Sequence, residues 1–192
     1  NYQKLLFLYF LIFYLIGSIP TAYILIKIKY GKNLSEEGSG NIGARNTLDV
    51  TGSKADGIIV LLADLIKGLV PAFLLITYGD LVKWQLIIPL TLLVAGHNFS
   101  VWIKFKGGRG LATAAGVFIA VDFIFVVLWL AFYFLADIFM KNANVSTVIA
   151  LLAIPVAVWI FPWPAVEFLN PVLSGGDDLF YCLTIFISIG TV

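Results

Sequence analysis

Residues 5–26 form an apolar run broken by Gly17, Ser18 and Pro20, and comparable runs recur up to the last residue. A helix needs roughly 20 apolar residues to cross the hydrocarbon core of a bilayer, and inside that core every backbone polar group must find its partner within the protein. Repeated runs of this length therefore allow one kind of fold, a bundle of membrane-spanning helices. Composition agrees, because 12% of the 192 residues are charged and 61% are hydrophobic, whereas soluble domains carry about 25% charged residues. The expected fold class is all-α, a polytopic membrane helical bundle forming one domain over residues 1–192. The sequence starts at Asn1 and stops at Val192 within an apolar run, so both ends are expected to be incomplete.

The spans can be placed in order. The first run is followed by the basic residues Lys27, Lys29 and Lys32. A signal peptide is the competing reading, but the run is long and lacks a small-residue cleavage pattern. A polar loop over residues 27–56 leads to a second span at 57–78, a short turn at 79–83 and a third span at 84–101, with Trp84 at an interfacial position. Residues 111–140 form an apolar run interrupted by Asp122 and Asp137. It is either one long tilted helix or two short ones turning near Asp122, whose carboxylate could cap the second. Residues 145–161 make a further span, closed by Phe161-Pro162-Trp163-Pro164, and residues 179–192 make the last. The total is seven transmembrane helices, or six if 111–140 is continuous.

Orientation follows lysine and arginine in short loops. With seven spans, one side carries Lys27, Lys29, Lys32, Arg45, Lys54, Lys104, Lys106, Arg109 and Lys141, and the other carries Lys4 and Lys83. With six, Lys141 changes sides, so the charge rule weakly favours seven and in both cases puts the two glycine-rich stretches in the cytoplasm.

Those stretches carry the chemistry. Gly38 to Asn46 reads GSGNIGARN, with Gly38, Gly40 and Gly43 spaced so that backbone N–H groups are left uncovered, Ser39 and Asn41 adding donors and Arg45 adding charge. Such a loop is a phosphate nest; a flexible connector is the plainer reading, against which stand Asn41, Asn46 and the length of the loop. Gly96 to Thr113 reads GHNFSVWIKFKGGRGLAT and holds the single histidine of the chain. Within it, Gly107, Gly108 and Gly110 let an anion approach the backbone, the following helix offers its N-terminal N–H groups, and Lys106 and Arg109 neutralise charge. Lys104 reads as an orientation signal. The two stretches are expected to close on one phosphate-binding site.

Other chemistries find little support. The string FKGGRG lacks the G-x-x-x-x-G-K-[ST] pattern of nucleotide-binding loops. Cys182 is the single cysteine, which excludes an internal disulfide and a cysteine-based zinc site. No metal, cofactor or nucleic acid is expected. His97 is a general base, a hydrogen-bond donor to phosphate, or a packing residue. No carboxylate follows it closely in the chain to orient it as in a triad, and the fifth residue after it is Trp102, so there is no HxxxxD pattern. Asp64 and Lys67, three apart on the second span, share a helix face and can pair, as buried ionisable residues in a membrane must. Asp122 and Asp137 read as helix-end residues, and Glu167, Asp177 and Asp178 as a solvated loop.

GSGNIGARN, the Asp64-Leu65-Ile66-Lys67-Gly68 segment with Pro71, and GHNF followed by FKGGRGLAT together resemble the bacterial acyl-phosphate:glycerol-3-phosphate acyltransferase family, the PlsY type. The match spans most of residues 17–113, and Ser146 resembles the family's small polar loop between the fifth and sixth helices. The resemblance implies a seven-helix enzyme of the bacterial inner membrane. Its site at the cytoplasmic face would move a fatty acyl group from acyl phosphate to the 1-hydroxyl of glycerol 3-phosphate. Ser39, Gly40, Asn41, Asn46, His97, Lys106, Gly107, Gly108 and Arg109 match the family's site. Arg45 stands where the family has threonine and Asp49 where it has arginine; Arg109 replaces a lysine, and Ser100 replaces a proline. If residues 45–49 are helical, the guanidinium has moved by one turn. An acceptor other than glycerol 3-phosphate, or a transporter or binder of an organic phosphate, are the alternative readings.

Overall fold

The computed structural model describes residues 2–81 and 83–160. These form eight α-helices: α1 (Tyr2–Ser18), α2 (Thr21–Tyr30), α3 (Ala44–Thr51), α4 (Lys54–Tyr78), α5 (Ile87–Asn98), α6 (Leu111–Asp122), α7 (Ile124–Met140) and α8 (Ala143–Ile160). Two segments, Gln3–Tyr30 and Lys54–Tyr78, are long and apolar enough to cross a membrane, and Ile87–Ile103, Leu111–Asp122, Ile124–Met140 and Ala143–Ala157 are shorter apolar helices. The expected span at 179–192, the Pro162 and Pro164 breaker, Cys182 and the acidic segment with Glu167, Asp177 and Asp178 lie outside the described residues.

The first span is broken where the sequence breaks. Pro20 lacks an N–H and cannot continue the hydrogen-bond ladder, so α1 stops at Ser18 and α2 restarts at Thr21. The interruption leaves the carbonyls of Ser18 and Ile19 turned toward neighbouring helices. Ser100 donates its hydroxyl to the first, and Lys67 Nζ donates to the second over 2.9 Å.

Asp122 ends α6, and its carboxylate accepts the Ile124 N–H over 2.9 Å at the start of α7. A continuous helix over residues 111–140 would hold its ends about 45 Å apart at 1.5 Å per residue. Instead Arg109, just before α6, donates to the Asn144 side chain, just after α7, over 2.6 Å. The run therefore folds back as two helices, and Lys141 joins the same end of the bundle as Lys106 and Arg109.

Close packing between helices rests on reciprocal glycines, which let backbones approach as membrane helices require. Gly17 of α1 lies against the Leu93 carbonyl of α5, while Gly96 of α5 lies against the Tyr14 carbonyl of α1. Gly68 of α4 and the Thr113 carbonyl of α6 form the same contact, matched by Gly116 against the Leu65 carbonyl. Between these pairs Phe13, Ala72, Leu90, Leu93, Val117 and Ile154 form the main buried cluster. The outward faces carry exposed Ile58, Leu62, Ile66 and Phe73, as suits a surface solvated by lipid.

The segment before α3 is folded rather than a slack connector. Leu34 and Ile42 are buried with Ala22, Ile26 and Val60 in a second apolar cluster between α2 and α4. At the same end, Asp56 accepts from Lys29 Nζ over 2.7 Å and from the Tyr30 hydroxyl over 2.6 Å, tying α2 to the start of α4.

Candidate functional site

A buried polar cluster lies where α2, α4, α5 and α6 meet. The expected pair on α4 forms, with Lys67 Nζ donating to Asp64 Oδ1 over 3.0 Å. Thr21, the first residue after the proline break, donates to the same Asp64 oxygen. His97, near the end of α5, brings Nδ1 to 3.1 Å from Lys67 Nζ, 3.3 Å from Thr113 Oγ1 and 3.5 Å from Asp64 Oδ1. Asp64, Lys67, His97 and Thr113 are all buried. The chain near His97 holds no carboxylate to orient it, and Asp64 reaches it from another helix instead. The glycine contacts create this meeting, since Gly96 precedes His97, Gly68 follows Lys67, and Gly68 packs on Thr113 itself.

The two glycine-rich stretches close over that cluster. Ile42 N–H donates to the Gly107 carbonyl over 3.3 Å, and Gly108 N–H donates to the His97 carbonyl over 3.2 Å. A Cβ on Gly108 would overlap both His97 Nε2 and the Ile42 carbonyl, so at this position only a glycine lets the loops and the imidazole meet. Gly110, in the left-handed region at φ 74°, starts α6, whose first turn has no side-chain cap. The turn before it stores strain. Lys104 (φ 58°) and Phe105 (φ 60°) are consecutive non-glycine residues in the left-handed region, a conformation costing on the order of 1–3 kcal/mol each.

The loop of residues 38–43 differs from the expected nest. Ser39 N–H donates to Asn46 Oδ1 over 2.8 Å, Gly40 N–H to the Glu37 carbonyl over 2.9 Å, and Gly43 N–H to the Asn41 carbonyl over 3.1 Å. An ordered loop satisfies its own backbone groups, so these N–H groups are not left open. Asn46 is 2% exposed and also donates to the Leu34 and Glu37 carbonyls. It shapes the loop from below, in place of the direct contact expected of it. Gly38, at φ 58° and with no room for a Cβ, which would overlap Asn46 Oδ1, completes that packing. Ser39 faces outward and Asn41 is partly exposed.

The cationic side chains stand around this closure. Lys106, Arg109 and Arg45 are exposed, and residues 44–51 are helical, so Arg45 and Asp49 are indeed neighbours one turn apart. Arg45 Nε donates to both Asp49 oxygens over 3.1 Å, an exposed pair worth about 0.3–0.5 kcal/mol. Ser146, in contrast, is fully buried. Its single hydroxyl proton has two acceptors in reach, the Asn142 carbonyl at 2.9 Å and Asp137 Oδ1 at 3.1 Å, so it braces the α7–α8 turn and does not face the loops. The residue that this turn does present is Asn144, through Arg109. Asn144 and Thr21 carry no motif of their own, and Thr113 closes the second glycine-rich stretch without a role read for it there. The one sequence signal for Thr21 is its place after Pro20.

A family model described as glycerol-3-phosphate acyltransferase matches residues 7–190. The chain is 38% identical over 163 residues to glycerol-3-phosphate acyltransferase 2 of Moorella thermoacetica, a match covering 81% of this chain and 79% of that one. It is also 38% identical over 151 residues to the glycerol-3-phosphate acyltransferase of a Wolbachia of Brugia malayi, covering 77% and 78% respectively. Among solved structures, it resembles PlsY (YgiH), an integral membrane glycerol 3-phosphate acyltransferase, in its glycerol 3-phosphate form. That match has a TM-score of 0.78 and 26% identity over 97% of this chain and 86% of that one. The lysophosphatidic acid form of the same protein gives a TM-score of 0.72 with 25% identity.

Proposed function

Because the chain belongs to the glycerol-3-phosphate acyltransferase family and is a PlsY-like bacterial membrane enzyme, we propose that it uses acyl phosphate as its donor. The 1-hydroxyl oxygen of glycerol 3-phosphate attacks the acyl carbon, the bond between that carbon and the bridging phosphate oxygen breaks, and its electron pair leaves with inorganic phosphate. The hydroxyl proton passes to the phosphate and solvent pool, and the product is lysophosphatidic acid. An acyl phosphate is already activated, so the protein has to hold two phosphates, align the hydroxyl and stabilise the departing charge. No serine or cysteine nucleophile and no cofactor is needed.

The observation that carries this reading is the closure of the two glycine-rich loops over His97, with Arg45, Lys106 and Arg109 exposed around it. Ser39, Asn41, Lys106, Gly107, Gly108, Gly110 and Arg109 are the candidate substrate contacts, with Asn46, Gly38, Gly40 and Gly43 shaping their loop and Asp64 and Lys67 supporting His97. The acyl tail lies among the apolar helices, and the soluble acceptor enters from the water side. Placement in the inner membrane with this face in the cytoplasm is supported by the excess of lysine and arginine at the loop end.

The test is turnover by purified protein in detergent or nanodiscs. Acyl phosphate with glycerol 3-phosphate is expected to give lysophosphatidic acid by mass spectrometry and an equal amount of phosphate. Product from acyl-coenzyme A or acyl carrier protein alone overturns the donor assignment. Absence of product, with uptake of a phosphorylated solute into liposomes, overturns the enzyme reading.

A further inference from the structure

The contacts of Lys67 determine where the proton of His97 sits. An ammonium group has three N–H donors and no acceptor. Around Lys67 Nζ are three acceptors at hydrogen-bond distance: the Ile19 carbonyl at 2.9 Å, Asp64 Oδ1 at 3.0 Å and His97 Nδ1 at 3.1 Å. Each donor thus has one partner, and the imidazole is one of the three only if Nδ1 offers its lone pair. The competing arrangement, with a proton on Nδ1 directed at Asp64, would use the longer 3.5 Å separation and would set an N–H against the ammonium. Thr113 Oγ1 at 3.3 Å adds a hydroxyl as a second donor to the same lone pair. The other ring nitrogen, Nε2, turns toward Gly108 and the closure of the loops.

Resting on the function proposed above, we infer that Lys67 is a positioning residue that fixes the proton of His97 on Nε2, so that the imidazole offers the site a hydrogen-bond donor and not a base. Its partner is a phosphate oxygen, of the acceptor or of the acyl donor. In this arrangement His97 does not take the hydroxyl proton. It holds the oxygen in place; Asp64 and the Ile19 carbonyl hold Lys67 in turn, and Thr21 holds Asp64. The general-base role open to His97 in the sequence is set aside by the identity of the neighbour, since an ammonium beside Nδ1 leaves no free lone pair on the ring.

The chain has a single histidine, so protein made with ¹⁵N-histidine and no histidine tag gives one imidazole spectrum. In the ligand-free protein, Nε2 is expected to be pyrrole-like and Nδ1 pyridine-like, assigned through couplings to the ring protons. The reverse assignment, an averaged pair, or two pyrrole-like nitrogens overturns the inference. In Lys67→Met the proton is expected to move to Nδ1, facing Asp64, and kcat is expected to fall by about 10²-fold, the loss typical of one oxyanion donor. An unchanged tautomer in that variant overturns the role of Lys67.

Inorganic phosphate, glycerol 3-phosphate and a non-transferable acyl phosphonate are then added separately. A shift of Nε2 with glycerol 3-phosphate assigns the oxygen to the acceptor, and one with the phosphonate alone assigns it to the donor. No shift with any of them overturns the donor role. The ligand-free tautomer is read without turnover, so its failure is distinct from failure of the proposed reaction.

Discussion

Gly108 packs directly on His97: its N–H donates to the His97 carbonyl over 3.2 Å, and a methyl group on its Cα would overlap His97 Nε2 and the Ile42 carbonyl together. Gly108→Ala must therefore push the second loop away from the first. Displacing aligned groups by an ångström costs on the order of 10²-fold in rate, and that loss is expected in kcat/KM. Gly31→Ala is the control, because a Cβ there meets nothing within 4 Å although the residue, unlike Gly108, is left-handed at φ 69°. It is expected to lose about 1 kcal/mol of stability and to keep its activity. Equal activity in the two variants would contradict the geometry.

Asn46 provides a test of the loop itself. Asn46→Ala removes one acceptor and one donor group from a buried position and is expected to destabilise the protein by about 1–3 kcal/mol. Asn46→Asp keeps the acceptor for Ser39 but sets a carboxylate oxygen against the Leu34 and Glu37 carbonyls. It also buries a charge, so its thermal midpoint is expected to fall below that of Asn46→Ala. The order of the two midpoints in one detergent decides the point.

The Asp64–Lys67 pair should behave as a buried ion pair. Removing one partner leaves the other charge uncompensated, and Asp64→Asn or Lys67→Met alone is expected to cost about 3–5 kcal/mol. The double variant is expected to recover part of that loss while turnover stays low, because His97 still lacks its ammonium neighbour. Additive destabilisation in the double-mutant cycle would show that the two charges do not depend on each other.

Arg45 lies on an exposed helix face, so Arg45→Ala is expected to change stability by no more than about 0.5 kcal/mol. If it stands in for the arginine that relatives carry one turn later, the KM for glycerol 3-phosphate rises by about tenfold, equivalent to one charge-assisted hydrogen bond of about 1.4 kcal/mol. Asp49→Ala, which frees the guanidinium, is expected to lower that KM. Unchanged KM values in both variants remove Arg45 from acceptor binding.

What could be read in the chain before folding was what depends on local spacing. The apolar runs place α4 and α5 to within three residues at each end, Asp122 marks the turn into α7 because a cap is a short-range bond, and the three-residue step from Asp64 to Lys67 implies their pair. The rest depends on how helices are rotated against one another. Nothing near His97 in sequence announces Asp64 or Lys67, which come from a helix thirty residues away. The open nest expected at residues 38–43 is missed for another reason: the contacts that take up its N–H groups are local, Asn46 reaching back seven residues to the Ser39 N–H, and glycine spacing does not announce them. Ser146 was placed by resemblance, and only the turn between α7 and α8 reveals that its hydroxyl faces inward.

The break at Pro20 makes the first span a poor candidate for exchange. A generic apolar helix of the same length would insert into a membrane equally well, yet its unbroken ladder would retain the carbonyls that now serve Ser100 and Lys67. A chimera carrying such a helix would contain every charged residue of the site and still lack two of its ligating atoms, which belong to backbone and leave no trace in a comparison of side chains.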